Sequence, residues 1–97
     1  MDKYLKAIEE AEKRITIYHE AILEACKETD MVYTSKDSKQ VSNRAWEILQ
    51  GIRFVATYDD DIKMDEWDKI VKKCMAVLDP YEKEYDALLK KEFSWRL

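Results

Sequence analysis

Apolar residues recur at alternating steps of three and four along most of the chain, and this spacing places them on one side of an α-helix. The first such segment predicts a helix from about residue 3 to 28. Its buried side is formed by Met1, Tyr4, Ile8, Ala11, Ile15, Tyr18, Ile22 and Ala25. One glycine and one proline among 97 residues suit helix far better than a β-sandwich. We therefore expect an all-α protein with a single domain over residues 1–97.

Two further helices are expected. The segment TDMVYTSKDSK, residues 29–39, has no sustained period and is rich in turn-forming residues, which predicts a connecting loop. The second helix should run from about Ser38 to Tyr58, with a buried side formed by Val41, Ala45, Ile48, Ile52 and Val55. Carboxylates favour helix N-termini, so Asp61 or Asp65 is the expected N-cap of the third helix. The buried side of that helix is formed by Trp67, Val71, Cys74, Leu78, Tyr81, Tyr85 and Leu88.

Pro80 lies within the predicted third helix, but the three-four spacing of the apolar residues continues through it without a shift. The segment Asp79-Pro80-Tyr81-Glu82 has the form of a helix start, with an N-cap, a proline at the first helical position and an acid two residues later. A true break with a reversal of direction would rarely preserve the phase, so a kink is favoured over a break. The predicted fold is an up-down-up three-helix bundle whose third helix is kinked or split at Pro80, and a split would make four helices.

The segment RITIYHEAILEAC, residues 14–26, places Arg14 and His19 in an Arg-x4-His pattern. This pattern resembles the ribonuclease signature of HEPN domains, which are helical bundles. The resemblance implies RNA cleavage by Arg14 and His19. In that family the residue after the arginine is usually polar and the motif lies towards the end of the domain, whereas here Ile15 follows it in the first helix. The alternative is that His19 is a partly buried, hydrogen-bonded residue beside the core.

Metal-binding patterns begin but are not completed. The sequence HEAIL starts like an HExxH zinc motif, but Leu23 stands in place of the second histidine. A calcium-binding loop beginning at Asp59 would need glycine and glutamate where Met64 and Ile70 stand. Glycine-rich phosphate loops and nucleophile motifs are missing as well. We therefore expect no metal, no cofactor and no enzymatic activity.

An aromatic row lies on the second helix. Trp46 and Phe54 project more than about 100° away from the predicted buried side, so they should face outward. Gln50 lies between them in the row, and Arg53 and Thr57 lie beside it. Tryptophan, phenylalanine and arginine are enriched at the centres of protein interfaces. The row predicts a surface for a protein partner or for self-association. The alternative is that neighbouring helices or the C-terminal segment KKEFSWRL cover it.

These features favour a small non-enzymatic protein that binds another protein, as an adaptor, an inhibitor or an immunity-type factor. The alternative is binding of nucleic acid or a nucleotide, including at a subunit interface, through tyrosines and the outward lysines of the third helix. Those lysines are Lys69, Lys72, Lys73, Lys83, Lys90 and Lys91. The formal net charge of −4 argues against a dedicated nucleic-acid binder. No signal peptide or membrane span is expected, and the predicted location is cytoplasmic.

Overall fold

The computed structural model describes residues 2–94. Within them the chain forms three helices, α1 (Asp2–Glu28), α2 (Ser35–Thr57) and α3 (Met64–Glu92), and no strand. The phenol of Tyr4, near the start of α1, donates a hydrogen bond to Asp59, just after α2, so these two helices run antiparallel. The predicted all-α, up-down-up three-helix bundle is confirmed. α3 continues through Pro80, so the four-helix alternative is wrong.

The three helices form a flat arrangement. The Cα atoms span 51 × 32 × 15 Å with a radius of gyration of 16.0 Å, whereas a compact domain of this length has a radius of about 13 Å. α2 packs against both neighbours more extensively than α1 and α3 pack against each other. α2 is therefore the central helix. Because it has a neighbour on each side but no fourth helix in front of it, its outward side is left uncovered by the rest of the described chain.

The core is narrow and draws on all three helices. Its buried apolar residues are Tyr4, Ile8, Ala11 and Ile15 of α1, Val41, Ala45, Leu49 and Ala56 of α2, and Ile70, Cys74, Val77 and Leu78 of α3. The predicted buried side of α1 is confirmed from Tyr4 to Ile15, but Ala25 is exposed and Met1 lies outside the described residues. On α3 the prediction missed Ile70 and Val77. The remaining predicted core residues of that helix are only partly buried: Trp67, Val71, Tyr81, Tyr85 and Leu88.

The buried side of α2 differs from the prediction. Val55, which was predicted to be buried, is 59% exposed, whereas Leu49 and Ala56 are buried. The cause is the central position of α2. Its side chains at Ile48 and Ile52 line a groove shared with α1, while Leu49 lines a recess shared with α3. The buried side of α2 is thus centred between its contact with α1 and its contact with α3. It is not centred on the predicted row of residues that includes Ile52.

Two helix starts also differ from the prediction. α2 begins at Ser35, before the expected Ser38, because the backbone N–H of Thr34 donates to Asp37 Oδ2 at 2.9 Å and that of Ser35 donates to Glu92 at 3.1 Å. The Thr, Ser and Asp cluster is therefore partly a helix cap. The N-cap of α3 is Lys63, and neither Asp61 nor Asp65 occupies that position. In the range 2–94, no helix is long and apolar enough to cross a lipid bilayer.

Candidate functional site

The predicted aromatic row lies on the uncovered side of α2. Trp46 is 49% exposed and Phe54 is 62% exposed, which confirms that both face outward. Gln50 and Thr57 are exposed on the same side of the helix, and Arg53 is half-buried at its edge. We call these five residues the α2 face. Successive members of the row are four residues apart, so the aromatic rings follow one another along the helix surface.

The apolar surface extends beyond the predicted row. The rings of Phe54 and Tyr58 meet edge-on with centroids 5.1 Å apart, and Tyr58 is exposed just after the last residue of α2. Met75 of α3 is also exposed, and together with Trp46 it lines a recess between α2 and α3. Sequence reasoning missed both residues. Tyr58 follows Phe54 at the same four-residue step, which was a usable signal, whereas the approach of Met75 depends on how α3 packs.

Arg53 lies at the boundary between α2 and α3. Its Nε atom is buried and has no hydrogen-bond partner, and its guanidinium forms no ion pair with any residue between 2 and 94. The surrounding recess has a volume of about 20 Å³ and is lined by Trp46, Leu49, Gln50, Arg53, Cys74, Met75 and Leu78. Burial raises the pKa of the Cys74 thiol, and the nearby positive charge of Arg53 partly opposes that effect. Arg53 therefore presents a positive charge that no described acid neutralises.

The charge of α2 is opposite in sign to that of the whole chain. The helix contains four basic and two acidic residues, a formal charge of +2, in a chain whose formal charge is −4. The remainder of the chain therefore carries −6. The exposed basic residues of α2 include Lys36, Lys39 and Arg44. Only Arg44 among these three has an ion-pair partner within the described chain, Glu47 at 3.7 Å. α2 thus combines an outward aromatic row with a net positive charge.

The lysines of the alternative site lie on the outer side of α3. Five of them are exposed, and Lys73 is half-buried: the exposed ones are Lys69, Lys72, Lys83, Lys90 and Lys91. Lys73 forms an ion pair with Glu9 of α1 at 2.9 Å, and Lys83 forms one with Asp79 at 2.8 Å. Two of the six lysines are therefore partly neutralised by neighbouring acids. This weakens the α3 surface as a phosphate-binding stripe.

The structure does not bring Arg14 and His19 into one site. They are five residues apart on α1, which places them about 140° apart around the helix. Arg14 is exposed, whereas His19 is half-buried, and its Nε2 lies 3.0 Å from Oε2 of Glu84. Because a carboxylate only accepts hydrogen bonds, Nε2 donates in this contact. The alternative of a partly buried, hydrogen-bonded histidine is confirmed.

Glu84 is the centre of a network that sequence reasoning missed. Its Oε1 accepts hydrogen bonds from Tyr33 at 2.6 Å and from Ser38 at 2.8 Å, in addition to the His19 contact at Oε2. We call these four residues the Glu84 network. They come from α1, the α1–α2 connection, α2 and α3, so one carboxylate joins all three helices. A signal was present, since Ser38 is a polar residue in phase with the buried Val41 and Ala45.

The pKa values in the network follow from its hydrogen bonds. Burial alone would raise the pKa of Glu84, but the hydrogen bonds from Tyr33 and Ser38 and the contact with His19 together lower it below the usual value. Burial, and then the contact with Glu84, raise the pKa of the Tyr33 phenol. The carboxylate is thus held ionised and the phenol protonated. This arrangement stabilises helix packing, and every member is engaged with another.

No known protein family, curated protein or solved structure matches the chain. Within residues 2–94, no group of three or more His, Cys, Asp or Glu side chains is placed to hold a metal ion. Cys26 and Cys74 are both free. Phe93 of the C-terminal segment KKEFSWRL is partly exposed, and Trp95 and Leu97 lie outside the described residues. The candidate site with the most distinctive geometry is the α2 face.

Proposed function

We propose that this chain is a non-enzymatic helical protein that binds another protein through the α2 face, as an adaptor, an inhibitor or an immunity-type factor. The observation that carries the proposal is the exposure of Trp46 and Phe54, two large aromatic side chains on the central helix. Contiguous apolar surface of this kind is typical of interaction sites on small proteins. Tryptophan, tyrosine and arginine also dominate the binding energy of measured interfaces, and all three lie on or beside this face.

Burial of the two aromatic side chains would supply part of the energy needed for specific binding. An aromatic side chain buries about 150–250 Å² in full, at about 25 cal/mol per Å². Because Trp46 is 49% exposed and Phe54 is 62% exposed, covering each of them would contribute about 2 to 3 kcal/mol. The two side chains would then supply about 5 kcal/mol before any contribution from Arg53, Gln50 or Tyr58. A micromolar affinity corresponds to a net free energy of about 8 kcal/mol, which remains after an association cost of at least about 4 kcal/mol. Other contacts of the face must therefore contribute as well.

The test compares two double variants with the parent chain. The first replaces Trp46 and Phe54 by alanine, and the matched control replaces Ile17 and Met64, which are exposed on α1 and α3, by alanine. Each protein is immobilised and used to capture binding proteins from a lysate of its source cells, and its molar mass is measured by light scattering over a wide concentration range. We expect the parent and the control to retain the same partner and the Trp46/Phe54 variant to lose it.

Self-association is a distinct outcome of the same experiment. A stable oligomer of the parent that the Trp46/Phe54 variant does not form would identify the partner as a second copy of the chain. Equal capture by all three proteins would contradict the proposal. So would a loss of about 3 to 5 kcal/mol in the free energy of unfolding of the Trp46/Phe54 variant, because that loss is typical of core residues and not of an exposed row.

A further inference from the structure

We infer that the partner of the α2 face presents a carboxylate next to apolar side chains, and that Arg53 binds this carboxylate. The inference rests on the proposed function and adds the chemistry of the partner. It commits to an acidic, apolar protein segment, such as an amphipathic helix in which Asp or Glu adjoins Leu or Phe. Its support comes from the state of Arg53, the size of the recess beside it and the charge of α2.

The first support is the unpaired guanidinium. Nε of Arg53 is buried without a hydrogen-bond partner, and no acid of residues 2–94 forms an ion pair with this side chain. Nε has almost no accessible surface, so an acceptor from outside must bind the other guanidinium nitrogens of the partly exposed Arg53. It gains a charged hydrogen bond there because no described residue supplies one. A carboxylate matches the planar donor arrangement of arginine better than any other side chain and can accept two parallel hydrogen bonds. Arg53 is therefore suited to an acidic residue of a partner.

The second support is the recess itself. Its volume of about 20 Å³ exceeds the space of about 10–15 Å³ that one water molecule requires. One carboxylate oxygen therefore fits in the recess against Arg53. The walls include Trp46 and Met75, which are apolar, and Gln50, whose amide can donate a further hydrogen bond. A carboxylate bound here would be flanked by the same aromatic surface that the proposed function requires.

The third support is the charge distribution. α2 carries a formal charge of +2, whereas the rest of the chain carries the balance of −6. An acidic partner is therefore attracted more strongly to α2 than to the rest of the chain taken as a whole. Such complementarity fixes the orientation of a complex and accelerates its formation. The exposed Lys36 and Lys39 extend the positive surface along the same helix towards its N-terminus. Arg44 adds less because it is paired with Glu47, and the Lys39 ammonium lies 4.9 Å from the centroid of the Tyr85 ring.

The experiment selects peptides without assuming a partner. A phage library of random 12-residue peptides is panned against the folded full chain, against Arg53→Met, and against the Trp46→Ala/Phe54→Ala double variant. Arg14→Met is the matched control, because it removes one exposed arginine from α1. We expect the parent and the control to enrich peptides in which Asp or Glu adjoins large apolar residues. Arg53→Met should retain the apolar preference and lose the acidic one, and the double variant should enrich neither.

A selected peptide then measures the contact directly. Its acidic residue is replaced by the corresponding amide, and both peptides are titrated against the parent and Arg53→Met by fluorescence polarisation. The amide peptide should bind the parent about tenfold more weakly, as expected for loss of a charged hydrogen bond, and should bind Arg53→Met with the same affinity as the acidic peptide. Thermal unfolding verifies that Arg53→Met is folded, and Arg53→Gln replaces it if it is not.

The outcomes separate the two proposals. Apolar enrichment without an acidic preference, or an acidic preference that survives in Arg53→Met, would overturn the inference and leave protein binding by the α2 face intact. Enrichment that is unchanged in the Trp46/Phe54 variant, or no enrichment by the parent, would overturn both.

Discussion

Replacing Glu84 by alanine should lower the free energy of unfolding by about 3 kcal/mol. The carboxylate accepts short hydrogen bonds from Tyr33 and Ser38, at 2.6 and 2.8 Å, and contacts His19 at 3.0 Å. A hydrogen bond to a charged group contributes about 1.5–3 kcal/mol. We take the lower figure for each of the two hydroxyl donors, because the Glu84 side chain is 30% exposed, and we add nothing for the contact with His19.

The size of the loss also depends on what remains after the substitution. Ser38 is fully buried, so its hydroxyl would be left without its acceptor in Glu84→Ala. Glu84→Gln keeps one acceptor oxygen for Tyr33 and Ser38 but loses the charge and replaces the other oxygen, which contacts His19, by an amide NH2. We expect about half of the full effect. Glu82 is an exposed acid two residues earlier on α3. Glu82→Ala is therefore the matched control, and it should change the free energy of unfolding by no more than about 0.5 kcal/mol.

Urea unfolding followed by far-ultraviolet circular dichroism measures these differences. The urea concentration at the midpoint should be highest for the parent, lower for Glu84→Gln and lowest for Glu84→Ala. The slope of the unfolding free energy against urea concentration should be the same in all three proteins. For a domain of this length the alanine variant should also unfold about 15 °C lower. Equal losses in Glu84→Ala and Glu82→Ala would refute the reasoning. A double-mutant cycle with Tyr33→Phe would show how much of the loss belongs to the Tyr33 contact.

Two further measurements use the same assay. Because the pKa of Glu84 is lowered in the folded state, its contribution is complete above the usual value of 4.5 and is lost as the pH falls through the folded-state pKa. The urea midpoint of the parent should therefore decline more steeply below about pH 4.5 than that of Glu84→Gln, and parallel profiles would contradict this. Gly51→Ala should raise the free energy of unfolding by about 0.5–1 kcal/mol, since a Cβ there would meet no atom within 4 Å, and a decrease would contradict it.

The fold was predictable because the helical signal is local. The spacing of Tyr4, Ile8, Ala11 and Ile15 depends only on neighbouring residues, and the structure buries all four. The centre of the buried side of α2 was not predictable in the same way. It depends on α2 having a neighbour on two sides, which makes Leu49 more buried than Ile52. Periodicity detects that a helix has a buried side, but it does not show how many helices share that side.

The same distinction applies to the candidate site. The outward orientation of Trp46 and Phe54 was predicted correctly. Both residues project well away from the buried side of α2, although the centre of that side differs from the predicted one. The Glu84 network was not predicted, because Glu84 is 46 residues from Ser38 and 65 from His19 along the chain. Contacts at that separation depend on the register of packed helices. The recess beside Arg53 depends on the same register, since α3 supplies Cys74, Met75 and Leu78 to its wall.

The residues that stabilise the bundle are separate from those proposed to bind a partner. Near one end, Glu84 joins the three helices through Tyr33, Ser38 and His19. At the other end, Asp59 accepts a hydrogen bond from Tyr4 at 2.6 Å and pairs with Lys3 at 3.4 Å, and its pKa is lowered chiefly by the Tyr4 bond. The α2 face contributes to neither connection. Substitutions at its exposed aromatic residues should therefore change affinity with little change in stability, whereas Glu84 variants should do the reverse.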